Sequence, residues 1–490
     1  MKKILFLLIV LITVAMAGCD KNFQAINTNP NNPEVVSPNL LMVNIIRGTI
    51  NDLVNDGFSS GNVLMQYMTQ LRDPGIDRYS LGSTSTWDNG YADLRNVQVL
   101  YNIADQSKLD NYKAIAKIMR VVLFARMTDC YGDLPYSEAL QGKTGANGGP
   151  SIYLPKFDTQ QDIYAGLIQE LKDANGLLDG SKELIQSDIL FNGDVMKWKK
   201  FANSLRMRLL LRRSNKVNPS ADMTEMLASP TTYPLMDAVT DNAALKYDIA
   251  PNLYPLAGSR SGDIQYVCLS KTFADTLNAW QDPRLPLFFQ PTSQSVTAGS
   301  PKYAGVPNGQ PDASLSGALI PLSSQIGLMF YKDIQVPVPA QGVVMLVSEL
   351  KFILAESVVK GYITGDAKTY YEAGIKASMD YYKSVSGVNI SATPTYLSQP
   401  GVAYDANKAM VQIGTQRWIA MFYNDWQAWH EWKRTGLPAI TPSKTNFNGD
   451  RIPVRFLYPS DVQVTDRDNY TNAVKVQGPD DINTKIWWMN

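Results

Sequence analysis

Residues 424–436 read NDWQAWHEWKRTG, which places three tryptophans and the chain's only histidine in one short stretch. Two chemistries suit such residues. Indole faces stack on the CH-rich side of a pyranose, and an imidazole exchanges protons near neutral pH. Proton transfer by His430 would need an orienting acid and a nucleophile, and neither is identifiable. Stacking on sugar conflicts with the spacing. Trp418, Phe422, Trp426, Trp429 and Lys433 recur at four- and three-residue steps, which predicts one apolar seam on a helix over about 406–434. Trp432 falls at the edge of that seam, and Gly436 and Pro438 stop the helix. His430 falls about 100° round from Trp429, a boundary position expected to hold a hydrogen-bonded imidazole. The patch reads as core.

The better candidate for recognition is LRDPGIDRYSLGSTSTWDNGY, residues 71–91. It offers Arg72, Asp77 and Tyr79 in a loop, then Trp87 and Asn89 at a helix start, the mix of flat apolar faces and fixed polar groups that a sugar requires. A lone Trp at a helix end also serves as a core plug. A second cluster, Tyr254, Arg260, Tyr266, Tyr303 and Asn308, sits among Gly- and Pro-rich loops. Trp280, just before Asp282-Pro283-Arg284, reads as part of a helix stop. The chain contains no GxxxxGK[ST], HExxH, CxxC or GxSxG, which closes the motif routes to nucleotide, zinc and serine-hydrolase chemistry. Glycoside hydrolysis needs only two carboxylates, so Asp73, Asp77 and Asp88 keep it as an alternative, although solvated loop acids explain them more simply. In TDRDNY (465–470), Asp466, Asp468 and Asn469 are oxygen ligands that calcium could use, without the glycine and distal Glu of an EF-hand loop. No other cofactor is implied.

These residues need a scaffold, and apolar periodicity predicts a helical one. Helices are expected over roughly 87–105, 111–130, 159–178, 194–214, 344–361, 367–385 and 406–434, with another opened by Ser37-Pro38. Residues 348–382 read as a tetratricopeptide-like hairpin with Ala355, Ala373 and Ala377 at its crossing. Around Trp198, Arg208 and Arg212 are expected to snorkel beside an apolar seam, and Ala202-Asn203-Ser204 to admit a close neighbour. Residues 236–343 lack such periodicity and read as a loop-rich insertion in one helical domain spanning 37–490. Ahead of that domain, Lys2-Lys3, the apolar run from Ile4 to Ile12 and AMAGC form an export signal of 18 residues ending before Cys19. The signal resembles a lipoprotein lipobox with Met16 where leucine is usual, which implies lipidation of Cys19 and an Asn/Pro-rich tether over 19–36. Cys130 and Cys268 then read as buried free thiols. With 45 basic and 45 acidic residues among 490, nothing in the totals favours nucleic acid.

Four stretches together resemble the SusD/RagB family of Bacteroidota surface lipoproteins: MTDCYGDLPYSEAL (127–140), GDVMKWKKFANSLRMRLLLR (193–212), NDWQAWHEWKRTGLP (424–438) and RIPVRFLYPSDVQVTDRDNY (451–470). The NTNPNNP tether and the final IWW support the SusD-like branch. The resemblance implies a mostly α-helical fold of tetratricopeptide-like hairpins with a loop-rich binding region. It also implies no catalysis, binding of oligosaccharides or in some members peptides, a lipid anchor facing the cell exterior, and a SusC-type TonB-dependent transporter in the outer membrane as partner. Within it, Trp87 and Asn89 match by position and type the aromatic and amide that line the ligand platform.

Overall fold

The computed structural model describes residues 36–72, 75–142, 149–250, 252–310, 316–332 and 336–489. The expected export signal, Cys19 and the tether up to residue 35 lie outside the described residues, and so does Asp73.

α1 (Pro38–Asp56) buries Met42, Ile45, Ile46, Ile50 and Leu53 on one face. Pro38 starts it with a φ already suited to the first turn, while the Ser37 hydroxyl bonds the Asn39 side chain and caps no backbone N–H. α1 runs into a wide turn over Gly57–Gly61 and a short strand, β1 (Met68–Gln70). α2 (Ser85–Gln106), α3 (Asp110–Tyr131), α4 (Gln160–Leu177) and α5 (Val195–Arg212) then pack each against the next in antiparallel succession. Side chains of Thr84, Thr159 and Asp194 accept backbone N–H groups at the starts of α2, α4 and α5. α3 is buried all round from Val121 to Tyr131, the pattern of a helix enclosed by neighbours. Asp133 follows it, and its carboxylate accepts the backbone N–H of Gln160 at 2.8 Å, so it ties the turn to the start of α4.

Between 236 and 343 the elements are short. β2 (Ala243–Leu245) pairs with β4 (Gly342–Met345) at the base of this stretch, and β1 pairs antiparallel with β3 (Val267–Leu269), Gln70 opposite Val267. α6 (Lys271–Ala279) follows, with Ser270 as its cap. The stop after it is structural: Arg284 is fully buried and donates to Asp282 at 2.9 and 2.6 Å.

α7 (Val347–Val359) and α8 (Ala367–Ser386) form the expected hairpin. Its crossing is at Gly374, where a Cβ would stand 2.7 Å from the Phe352 ring, while Ala373 and Ala377 are only half-buried. The expected helix over 406–434 is two: α9 (Ala409–Ala420) and α10 (Gln427–Thr435). Between them Tyr423 and Asp425 take φ of 62° and 47°, which turns the Asp425 carboxylate onto Arg126 of α3 at 3.0 Å. Gly61 makes room for this turn, since a Cβ there would lie 2.4 Å from the Asp425 carbonyl oxygen. The predicted seam is divided along with the helix: Trp418 and Phe422 pack against Phe273, whereas Trp426 and Trp429 are buried against Phe456, with Trp432 half-buried at the edge. His430 departs from expectation. It is fully buried, and neither ring nitrogen has a hydrogen-bond partner among the described residues. Burial first, and the cations Lys433 and Arg212 next, hold its pKa well below the usual imidazole value.

The arginines of α5 do not snorkel either. Arg208 donates to Glu349 at 2.5 and 2.6 Å, and Arg212 reaches Asp129 at 2.6 Å and Glu431 at 3.0 Å, all inside the protein. Glu431 and Glu356 are in turn shared by Arg417 and Arg434 at 2.6–2.9 Å. Ala202, Asn203 and Ser204 do admit the neighbouring α4, whose Asn175 accepts from Asn203 at 2.9 Å. Cys130 and Cys268 are free and buried. No helix among the described residues is long and apolar enough to cross a membrane.

Candidate functional site

The register of β1 against β3 decides what meets on the surface. Gln70 faces Val267, so Arg72, two residues on, comes beside Tyr266, one residue back. The Arg72 guanidinium carbon lies 4.2 Å from the centre of the Tyr266 ring, and an Arg72 Nη donates to Asp263 at 2.7 Å. Both charged side chains stay open to solvent, 45% and 61% exposed. Arg260 is exposed one turn before Asp263, and its carbonyl accepts the Asp263 N–H at 2.9 Å. A second stack stands on the same loop: Arg78 lies 3.9 Å from the centre of the Phe447 ring, a ring 66% exposed. Arginine over an aromatic ring joins a flat apolar surface to a fan of N–H donors. With the Asp263 carboxylate as acceptor, this surface can hold a hydroxyl-rich ligand from several sides.

Asp77 holds these loops in place from beneath, sealed from solvent. It is 1% exposed, and its carboxylate accepts from the Thr69 hydroxyl at 2.8 Å, from the Gln70 N–H at 2.7 Å and from the Asn308 amide. Asn308 also donates to the Met68 carbonyl at 2.9 Å, and the Ser443 hydroxyl donates to the Asp77 carbonyl. Four chain segments therefore meet at this one residue. Burial pushes that carboxyl up to about 7, against the pull of its hydrogen bonds.

The remaining candidates divide. Trp87 is 5% exposed, enclosed by Tyr91, Tyr131, Tyr458 and Phe157, so its faces are taken by protein and it is a core plug. Tyr79 is 3% exposed, and its hydroxyl accepts the Ser443 N–H at 3.2 Å. Tyr254 is 1% exposed against Tyr247. These three types promised a platform, but their rings face inward. Asn89 is exposed, and its side chain is hydrogen-bonded to Asp52 on α1. Burial pushes Asp52 up to about 6, opposed by Arg126 and reinforced by Asp93. Tyr303 is half-buried, its carbonyl accepting from Asn278 at 3.2 Å. The sequence reading missed Phe447, which lies in an Asn- and Gly-rich loop with no periodicity to mark it. Of the acids considered for hydrolysis, Asp77 is sealed and Asp88 is exposed on the first turn of α2. Asp466 accepts from the Asn469 amide at 2.8 Å, and among the described residues no three His, Cys, Asp or Glu side chains gather to a metal-sized cluster.

The family model described as "Starch-binding associating with outer membrane", SusD-like, matches residues 30–459. The chain belongs to the SusD-like family. Carbohydrate binding and association with the outer membrane are what that family's description states. Among solved structures, a SusD homolog from Bacteroides fragilis shares 29% identity over 93% of this chain and 99% of its own, with a TM-score of 0.77. A chitin-binding protein shares 26% identity over 93% of this chain and 100% of its own, also with a TM-score of 0.77. A chitin-binding SusD homolog from Flavobacterium johnsoniae, 24% identical, shares the fold over 92% of this chain and 98% of its own at a TM-score of 0.73. No curated protein matches the chain. The SusD-like fold thus accounts for the packing of the helices, and the loops pinned at Asp77 account for what this member displays.

Proposed function

We propose that this SusD-like protein is a non-catalytic cell-surface subunit that binds oligosaccharides and delivers them to a SusC-type TonB-dependent transporter, held to the outer membrane by lipid on Cys19. The observation that carries the binding part is the solvent-open Arg72–Tyr266–Asp263 cluster on loops locked from beneath by Asp77 and Asn308. A pre-ordered surface loses little conformational freedom on binding, which suits capture of flexible glycans. The family's starch-binding description and the chitin-binding relatives support a neutral glycan as ligand.

The test is calorimetry with hexasaccharides of the malto-, chito-, xylo- and manno- series, on wild type and on Arg72→Ala/Tyr266→Ala. The double variant is expected to bind the preferred glycan at least tenfold more weakly with an unchanged melting temperature. Equal affinity would remove this surface from the site. Peptides that bind where no glycan does would turn the reading toward peptide uptake, and release of shorter sugars would turn it toward a hydrolase. Copurification with the transporter from outer membranes, lost in Cys19→Ala, tests anchoring and delivery.

A further inference from the structure

Beside the loops already described lies a groove that nothing so far uses. It encloses about 440 Å³ between α6, α9 and the chain at 438–440, within the roughly 300–1,000 Å³ of small-ligand sites. Its wall is Trp280, half-buried at the end of α6. Gly401, with φ of +87°, leaves the space the indole occupies, since a Cβ there would stand 2.7 Å from Trp280 Nε1. Gln399 donates to the Trp280 carbonyl at 2.9 Å, so the wall is fixed from behind. Pro438 and Ile440 extend the apolar side.

The polar side is made of acceptors. Thr272 donates its hydroxyl proton to Gln66 Oε1 at 2.6 Å, Thr276 to the Thr272 carbonyl at 3.0 Å and Thr415 to the Val411 carbonyl at 2.8 Å. Each hydroxyl has therefore spent its one proton within the protein and has only lone pairs left for a ligand. The exposed Asp275 carboxylate, paired with Lys271 at 2.7 Å, has lone pairs left as further acceptors, and Trp418 is occupied donating to the Met65 carbonyl at 3.1 Å. Among the described residues no Lys, Arg, Asn or Gln side chain lines the groove, and Lys271 at its edge is held by Asp275. An indole wall continued by a row of acceptors fits a ligand with an apolar CH face and many O–H donors, and lone pairs with no free donor among them disfavour anions.

We propose that this groove is a second binding site for a neutral saccharide, separate from the Arg72–Tyr266 surface. Resting on the proposed function, it makes the protein bivalent toward one glycan chain, which raises avidity without strengthening either contact.

The experiment titrates wild type, Trp280→Ala, Thr415→Lys and Arg72→Ala/Tyr266→Ala with the four neutral hexasaccharides and with a hexagalacturonate. Thr415→Lys fills the groove from a half-exposed helix position and leaves the indole and the core untouched, so it reports even where Trp280→Ala fails to fold. Two binding components are expected for the preferred neutral sugar. Trp280→Ala and Thr415→Lys each weaken one of them at least tenfold, and the Arg72/Tyr266 variant weakens only the other. The acidic sugar is expected to bind the groove at least tenfold more weakly. If the groove variants bind as wild type while the Arg72/Tyr266 variant loses affinity, the groove proposal is overturned and the proposed function stands. The reverse pattern upholds the groove and removes the surface. Preference of the groove for the acidic sugar overturns its chemical class, and silence of wild type toward all the neutral sugars overturns both readings.

Discussion

At the scale of single residues, Asp77 shows a side chain of the right type serving another purpose. A carboxylate in a loop near tyrosines suggests a sugar contact, yet this one is enclosed and organises the loops that carry Arg72 and Arg78. Its raised pKa has a definite consequence for stability. The folded protein keeps a proton on Asp77 up to pH of about 7, whereas the unfolded chain releases it near the ordinary value of 3.8. Folding therefore takes up a proton in that window, so this group's contribution to stability falls as pH rises through it and levels off above. Asp77→Asn, a neutral analogue, removes the effect: its melting temperature relative to wild type is expected to rise between pH 5 and pH 8. A constant difference across that range would show that Asp77 is ionised throughout. Asp77→Ala orphans the Gln70 N–H and one N–H of the Asn308 amide and is expected to cost on the order of 3 kcal/mol in urea unfolding at pH 5, where the wild-type acid is protonated.

At the scale of elements, the helices were legible because their apolar steps are local. The expected spans 87–105 and 111–130 appear as Ser85–Gln106 and Asp110–Tyr131. The break after Ala420 was not legible, because its cause is a partner 299 residues away, Arg126, together with the room left by Gly61. The site divides in the same manner. Arg72 and Tyr266 were both nameable from type and context, but their meeting depends on the register of two strands nearly two hundred residues apart, and the inward turn of Trp87 and Tyr79 depends on Tyr458 and Ser443. Gly61→Ala tests the break directly: its Cβ meets backbone, which cannot swing aside, and a loss of roughly 1–3 kcal/mol is expected in urea unfolding. The ion network that joins α7, α9 and α10 gives a second test. Burial opposes ionisation of Glu356, but Arg434 and Arg417 overcome it and hold its pKa below 4.5, and Arg417, Arg434 and Arg212 do the same for Glu431. Their stabilisation is fully present above that ordinary value and is lost as pH falls below it. Glu356→Gln leaves two buried guanidinium groups short of a counter-charge and is expected to cost about 3–5 kcal/mol at pH 7, with a smaller penalty at pH 3.

At the scale of the whole molecule, the aromatic residues separate scaffold from surface. Six of the nine tryptophans, Trp87, Trp198, Trp418, Trp426, Trp429 and Trp488, are at most 5% exposed and make the core seams. Trp280, Trp432 and Trp487 are half-buried, and of the three only Trp280 lines the groove. Evenly scattered indoles would let any ligand disturb the total emission, whereas this segregation gives each region its own reporter. Iodide, which does not enter packed interiors, is expected to quench a minority of the native fluorescence that belongs to these three residues. Trp280→Phe should remove about one third of the quenchable part, because three residues share it, and should leave the emission of the buried six unchanged. A bound neutral glycan should protect that same third in wild type and have no effect on quenching in Trp280→Phe. Protection that persists in Trp280→Phe would place the sugar against Trp432 or Trp487, neither of which lines the groove.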